Sequence, residues 1–469
     1  MTVNRPPGPK GHFLTGVISD FSQDQPGFLL DTAQKYGPLS FFRLAHLNVY
    51  LLSDSDLIHE VLVKKNKQFE KSPLDKAILG KFLGNGLVTN DGDSHRKQRR
   101  LAQPAFHTKR IKNYANTVVE YANFFIDKWR SESTINMADE MIHLTMMIVS
   151  KTLFDADAIT SKGKTAEIVG HAIHDLQGVS NNDYSRGFSL PNWIPTADNR
   201  LRNSAVSAFN EAMESIIDDR LKTAVNGKIE DTGDLLSMLM LSEDEDGNHM
   251  EKKQLRDEVA TLFAAGHETT SNALAWTWYL LAKHPEVEAK VHEELDRVLG
   301  DRLPTFDDMK SLAYTSQVIK ESMRLYPPAW ILNGRIALND VEVGNTIIPK
   351  GSTIFISPYV MHHLDHHFEN PEQFKPERFT PEFEKSLPKF AYMPFGGGPR
   401  FCIGSAFAMM EAQLILAAIA QQYSFRLASD QPVVPLPQIT MSPEGGIVMN
   451  VIERETAVKT LKKEMAPVV

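Results

Sequence analysis

One cysteine, Cys402, is all that this chain of 469 residues contains, and it lies in the run FGGGPRFCIG, Phe395 to Gly404. A lone thiol excludes an intramolecular disulfide framework, so the fold must rest on its packed core. A buried cysteine used as a small apolar filler needs no particular neighbours. Here the neighbours suit a thiolate held against a metal. Glycines let the backbone come close and aim N–H groups at the sulfur. Arg400 can meet an anionic cofactor edge through a forked hydrogen bond, and Phe395 can cover the sulfur against water. One sulfur cannot complete a zinc or iron–sulfur site. A metal carried by a macrocycle needs only one protein ligand, so the chemistry points to haem with Cys402 as its axial thiolate.

The same segment resembles the haem-binding loop of the cytochrome P-450 superfamily, Phe-x-x-Gly-x-Arg-x-Cys-x-Gly. Phe395, Gly398, Arg400, Cys402 and Gly404 fill its fixed positions, and Ser405 to Glu411 is similar to the helical run that follows. The likeness extends from Pro7 to about Glu453. It implies a mainly α fold with small β-sheets, one domain over residues 1–469, and heme b (Fe-protoporphyrin IX) between a long central helix and the cysteine loop.

Periodicity agrees with many helices and few strands. The longest periodic segment runs from about Gln254 to Lys283 and stops before Pro285, which suits the first turn of a helix over Glu286 to Leu299. Another helix is expected from the cap-like Thr305-Phe-Asp-Asp308 to Leu325, where Tyr326-Pro-Pro328 ends it. Leu39 to Asp54 reads as a strand pair. Gln438 to Met441 and Gly446 to Ile452 read as short strands around a Ser442-Pro-Glu-Gly turn.

The long segment contains Ala264-Ala-Gly-His-Glu-Thr-Thr270. Gly266 costs a helix interior about 1 kcal/mol relative to Ala. Thr269 can return a hydrogen bond to the Ala265 carbonyl four residues back and bend the helix. The run resembles the family's oxygen-activation motif, small-Gly-x-acid-Thr. That likeness implies dioxygen near Ala265, with Glu268 and Thr269 as catalytic proton donors. Glu321 and Arg324 share a helix face at i, i+3. With Pro376-Glu-Arg-Phe379 they resemble the family's Glu-x-x-Arg and Pro-x-Arg-Phe motifs, which implies a buried structural triad of Glu321, Arg324 and Arg378. Asp91 to Phe106 resembles the helix whose Trp-x-x-x-Arg pair holds a haem propionate. His95 stands where Trp is usual, so His95 and Arg99 become the expected contacts, joined by Arg335 after Trp330-Ile-Leu-Asn-Gly334.

By the same resemblance the substrate pocket draws on Leu83, Leu87, Val88, Phe263, Ala264, Trp330, Ile331 and Met441. That apolar lining suits a terpenoid, steroid or fatty-acid-like molecule. A lid is expected near Asp175 to Trp193, with Gly178 to Arg186, rich in Gly, Ser, Asn and Asp, as a mobile loop. Arg96, Lys97, Arg100, Lys109, Arg110 and Lys112 form a basic face, either simply solvated or a dock for an acidic electron donor. His362 to His367 reads as structural, since it lacks a carboxylate-rich second shell for a metal. Ser242 to Asn248 lacks the terminal Glu of a calcium loop.

A net charge of −9 disfavours nucleic acid as a partner. No apolar run approaches the roughly 20 residues of a membrane span. The opening Met-Thr-Val-Asn-Arg-Pro-Pro-Gly carries no signal segment. A cytoplasmic protein without anchor or fused reductase is expected, drawing electrons from NAD(P)H through a ferredoxin or flavodoxin and its reductase. Three readings stay open: an O2-activating monooxygenase that hydroxylates or epoxidises, a peroxide-driven peroxygenase, and a haem-thiolate gas sensor. The acid–alcohol pair argues for the first.

Overall fold

The periodic stretch at the middle of the chain becomes the axis of the molecule. It is one continuous helix of 32 residues, Lys252–Lys283, about 48 Å long. The computed structural model describes residues 5–130, 132–155, 163–222 and 229–454. The central helix carries buried side chains almost all round from Leu274 to Leu281, as a helix packed on several sides must. The helices Met137–Phe154, Ala313–Leu325 and Ser405–Gln422 lie against it. Where the 137–154 helix crosses, Gly266 is the point of close approach: a Cβ there would sit 3.3 Å from Val149 Cγ2.

Beside this helical mass stands a five-stranded sheet, ordered Leu39–Leu44, Leu47–Leu52, Thr353–Ile356, Arg335–Ala337, Phe69–Lys71. The first two strands are the expected pair, in antiparallel register Leu39↔Leu52 to Leu44↔Leu47. Lys71 and Arg335 face each other across the last pair. Like charges placed so are destabilising unless an anion joins them. Among the described residues, no helix is long and apolar enough to cross a membrane.

Three expectations change. The helix expected from Thr305 to Leu325 is broken. Thr305 and Asp308 form a capping box, but it serves only the short 3₁₀ turn Phe306–Asp308. The helix proper begins at Ala313, because Glu294 of a neighbouring helix accepts the N–H groups of Tyr314 at 2.8 Å and Thr315 at 2.9 Å. Near the C-terminus, Gln438 to Thr440 is the turn between strands Pro435–Pro437 and Met441–Pro443, with the Gln438 N–H donating to the Thr440 carbonyl. Finally, Gly178 to Arg186 is no loop. It completes the helix Gly163–Arg186, and the connection to the next helix is confined to residues 187–196. Its helix-poor residues are spent on tertiary bonds: the Ile439 N–H donates to Asn181 at 3.1 Å, Tyr184 donates to Asp75 at 3.0 Å, and Asp183 pairs with Arg202 at 2.5 Å. Tertiary bonding overrides weak propensity here.

Candidate active site

The cysteine loop is a tight backbone cradle. The Cys402 N–H donates to the Phe395 carbonyl at 3.0 Å, closing the loop on itself. Gly398 has φ +64°, and a Cβ there would lie 2.2 Å from the Leu62 carbonyl oxygen, so no other residue fits. The Gly404 N–H points at the sulfur. Gly404 itself has room for a Cβ; its value is that backbone donor. Cys402 is exposed, yet protein surrounds its thiol closely enough that burial pushes its pKa up. Both hold together for a group on the wall of an internal cavity. Ala265 is likewise exposed midway along the central helix, between the half-buried Ala264 and Gly266.

A cluster of cations lies to one side. Burial holds Arg99 and Arg335 below the usual guanidinium range, and Arg99 lies near enough to Cys402 to favour its thiolate. Arg335 donates to the Asn333 carbonyl at 2.8 Å. Arg400 donates to the Asn90 carbonyl at 2.7 Å and pairs with Asp91, and burial brings it down to about 10. His95 is buried and falls to about 3, first through desolvation and then through Arg400, Lys71 and Arg99. Sequence reasoning missed Lys71, which is 5% exposed. It donates to the Leu87 and Val88 carbonyls, and burial holds it far below the ordinary lysine value. Lys71, Arg335 and Arg400 therefore share the single well-ionised carboxylate of Asp91, which Lys76 also pairs at 2.9 Å, since burial pushes Asp75 up, and Arg99 stands beside Cys402. Such an excess of positive charge on buried and half-buried side chains fits a dianionic guest, and an exposed cysteine beside it fits a macrocycle-borne metal. The residues present fit haem.

Beneath the cysteine loop the expected triad is assembled. Arg324 and Glu321 are both 0% exposed and bidentate, at 2.7 and 2.9 Å. Arg378 adds a bond to Glu321 at 3.0 Å. Arg324 also donates to the His362 carbonyl at 2.9 Å and the Gln373 carbonyl at 3.2 Å, and His362 Nε2 accepts the Met393 N–H at 2.9 Å, two residues before Phe395. His362 is thus a strut between triad and loop, a role its neighbouring histidines did not betray.

On the central helix Thr269 donates to the Ala265 carbonyl at 2.9 Å, as its spacing predicts. It is one of four. Thr270 donates to Gly266 at 3.3 Å, Thr145 of the 137–154 helix to His267 at 3.0 Å, and Ser271 to Glu268 at 2.8 Å. Four successive carbonyls share their lone pairs with hydroxyls, which weakens the helical ladder locally without breaking it. Glu268 does not meet Thr269. Its carboxyl accepts from Thr440 at 2.6 Å and from Gln177 of the 163–186 helix. Burial without a cation pushes it up to about 7.

The expected pocket residues divide. Val88, Ala264 and Ile331 keep some surface, and Leu83 and Leu87 are buried in the same apolar cluster as Phe263. Phe263, Trp330 and Met441 are core instead. Phe263 stacks on Phe154 at 5.7 Å, the Trp330 indole donates to the Gln438 carbonyl at 2.8 Å, and Met441 is 0% exposed. The basic face is largely paired within the chain. Arg96 joins Asp93, Lys97 joins Asp244 at 2.6 Å, Arg100 joins Glu245, Arg110 joins Asp231, and Lys112 joins Asp307 at 2.7 Å.

Residues 6–450 match the family described as Cytochrome P450. The chain is 37% identical over 422 residues to cyclooctatin synthase of Streptomyces melanosporofaciens, covering 89% of each protein. It is 35% identical over 406 residues to cyclooctat-9-en-7-ol 5-monooxygenase of the same organism, covering 86% of this chain and 85% of that one. Its fold matches the retinoic acid-bound cyanobacterial CYP120A1 with a TM-score of 0.84 over 97% of this chain and 100% of that one, at 23% identity.

Proposed function

Because the chain belongs to the cytochrome P450 family, we propose that it is a haem-thiolate monooxygenase oxidising a lipophilic terpenoid, with Cys402 as the ligand that holds the cofactor. The observation that carries this reading is Cys402 itself, exposed within its glycine cradle and flanked by buried Lys71 and the half-buried Arg99, Arg335 and Arg400.

In the proposed arrangement heme b lies between the cysteine loop and the central helix. Arg99, Arg335, Arg400 and Lys71 neutralise its anionic edge, and His95 packs among them as a neutral donor. Bound haem supplies the binding and reductive activation of dioxygen, with the thiolate favouring O–O cleavage. The chain does the rest. Phe395 and the glycine cradle exclude water from the sulfur. The Thr269 hydroxyl, which donates to the Ala265 carbonyl in this structure, would turn from that carbonyl to hand on a proton. Glu268, half-protonated near neutral pH, resupplies it. Leu83, Leu87, Val88, Ala264 and Ile331 offer an apolar wall to the substrate.

Electrons come, in this proposal, from NAD(P)H through a cytoplasmic ferredoxin or flavodoxin and its reductase. An acidic donor reaches the basic face by exchanging with Asp93, Asp244, Glu245, Asp231 and Asp307. Exposed pairs of this kind hold weakly, so the exchange is cheap.

The test is an incubation of haem-loaded protein with cyclooctat-9-en-7-ol, NADPH, a plant-type ferredoxin and its reductase under ¹⁸O-labelled dioxygen. One labelled oxygen atom in the product is expected. Product formed only with hydrogen peroxide, unlabelled by the gas, would establish the peroxygenase reading. Tight binding with no turnover across a panel of terpenoids would favour a sensor.

A further inference from the structure

The carboxyl of Glu268 is held from two sides by elements far away in the chain. One oxygen accepts the side-chain N–H of Gln177, on the 163–186 helix that roofs this part of the molecule. The other accepts the Thr440 hydroxyl at 2.6 Å. Thr440 in turn accepts from Asn272 at 3.0 Å, one turn along the central helix from Glu268. The roof helix is tied to the same turn a second time, through Asn181 and the Ile439 N–H at 3.1 Å. Gln177, Asn181 and Tyr184 are spaced four and three residues apart, so they share one face of that helix. That face is its attachment to the central helix, the 439–440 turn and Asp75.

The consequence lies in what Glu268 cannot do while so held. Its two oxygens are occupied, and the neighbouring Thr269 hydroxyl is turned to the Ala265 carbonyl. A carboxyl that is to resupply Thr269 must first leave Gln177, Thr440 or both. We propose that Gln177 and Thr440 are positioning residues that store Glu268 away from Thr269, and that withdrawal of the roof helix releases the acid for proton delivery. The proposal rests on the proton-donor reading of Glu268. It accounts for the polar Gln177 on a helix whose adjacent Leu176 and Val179 are buried. Desolvation without a cationic partner keeps the stored group close to half-protonated at neutral pH, so release alone suffices to make it a donor.

The experiment uses haem-loaded, full-length protein and needs no substrate. Dithionite-reduced protein is mixed with oxygenated buffer and its return to the oxidised state is timed. Gln177→Leu, which keeps the volume and removes the donor, is expected to return about tenfold faster, the factor that one lost hydrogen bond of ordinary strength represents. Thr440→Val behaves likewise, whereas Thr440→Ser, which keeps the hydroxyl, returns at the wild-type rate. Glu268→Ala slows the return, and the acceleration disappears in the Gln177→Leu/Glu268→Ala double variant. A merely structural role for Gln177 would survive that second substitution. In parallel, the infrared carboxyl band lost in Glu268→Gln is expected at higher frequency in Gln177→Leu. An unshifted band, an unchanged rate in Gln177→Leu, or an acceleration that persists without Glu268 overturns the latch. A Glu268→Ala variant as fast as wild type overturns the proton-donor reading instead.

Discussion

The two sides of this site are built on opposite rules. Below the cysteine loop every charge is answered: Glu321 meets both Arg324 and Arg378, and the spare guanidinium donors end on carbonyls. Two acids in and beside the central helix lack a cationic partner. Glu268 has only neutral donors. Glu411, fully buried on the Ser405–Gln422 helix, is pushed up to about 8 by burial, and neither of its carboxyl oxygens has a hydrogen-bond partner among the described residues. Saturated ion pairs fix one geometry and resist change, whereas under-served carboxyls sit near their midpoint and can change state. The clamp is built to hold position; in the proposed function the helix beside it moves protons.

The sharpest way to break this contrast is to unbalance the clamp. Glu321→Ala leaves Arg324 buried and unpaired, a loss of about 3–5 kcal/mol. Denaturant melts should show it, and the purified variant should carry little haem. If Glu321→Ala melts like wild type and retains its cofactor, the clamp is not structural. On the other side Thr269→Ala removes a hydroxyl that points at the carbonyl of an exposed alanine. Its melt should move by less than about 1 kcal/mol, while product formed per oxygen consumed falls about a hundredfold. Retained coupling would remove Thr269 from the relay.

Proton linkage separates the regions next. Glu258 and Glu268 titrate near about 7 and Glu411 near about 8, all raised by burial. The folded state therefore holds protons that the unfolded chain releases, so stability contributed by these groups is lost as pH climbs from the ordinary carboxylate range through about 8. Buried His95, His292, His363 and His367 are shifted downward and gain stability over the same window, so the acids are read by difference: between about pH 6 and about pH 8.5 Glu411→Gln should lose less stability than wild type, by on the order of 2 kcal/mol. A Glu411→Gln profile as steep as wild type would show that this acid is already ionised in the folded protein. Turnover should fall over the same interval as Glu268 loses its proton. The smallest effect belongs to the surface. Glu245→Gln frees Arg100 and should change stability by less than about 1 kcal/mol. It should nonetheless tighten binding of an acidic ferredoxin at low salt, as read by titration calorimetry.

What the amino-acid string discloses follows sequence distance. The cysteine loop, the Thr269 back-bond and the Glu321–Arg324 pair lie within a few residues, where spacing alone sets who can meet. The partners of Glu268 lie 91 and 172 residues away, and Thr145 lies 122 from the carbonyl it serves. No periodicity encodes such meetings. Gly178 to Arg186 misleads for the same reason, since its polar side chains look like loop chemistry until Asp75, Ile439 and Arg202 arrive to bind them. Lys71 is hidden by composition: one lysine in a short strand reads as surface, and only the facing Arg335 shows otherwise. Phe263, Trp330 and Met441 have the apolar character of a pocket, which core residues share.

Everything turns on sulfur from Cys402 reaching iron. The direct measurement is the absorption spectrum of the haem-loaded protein, reduced with dithionite under carbon monoxide. A Soret maximum at the long-wavelength position of sulfur-ligated haem is expected for the wild type, and its loss in Cys402→Ser. A wild-type band at the position of histidine-ligated haem, or an unchanged band in the serine variant, would contradict it.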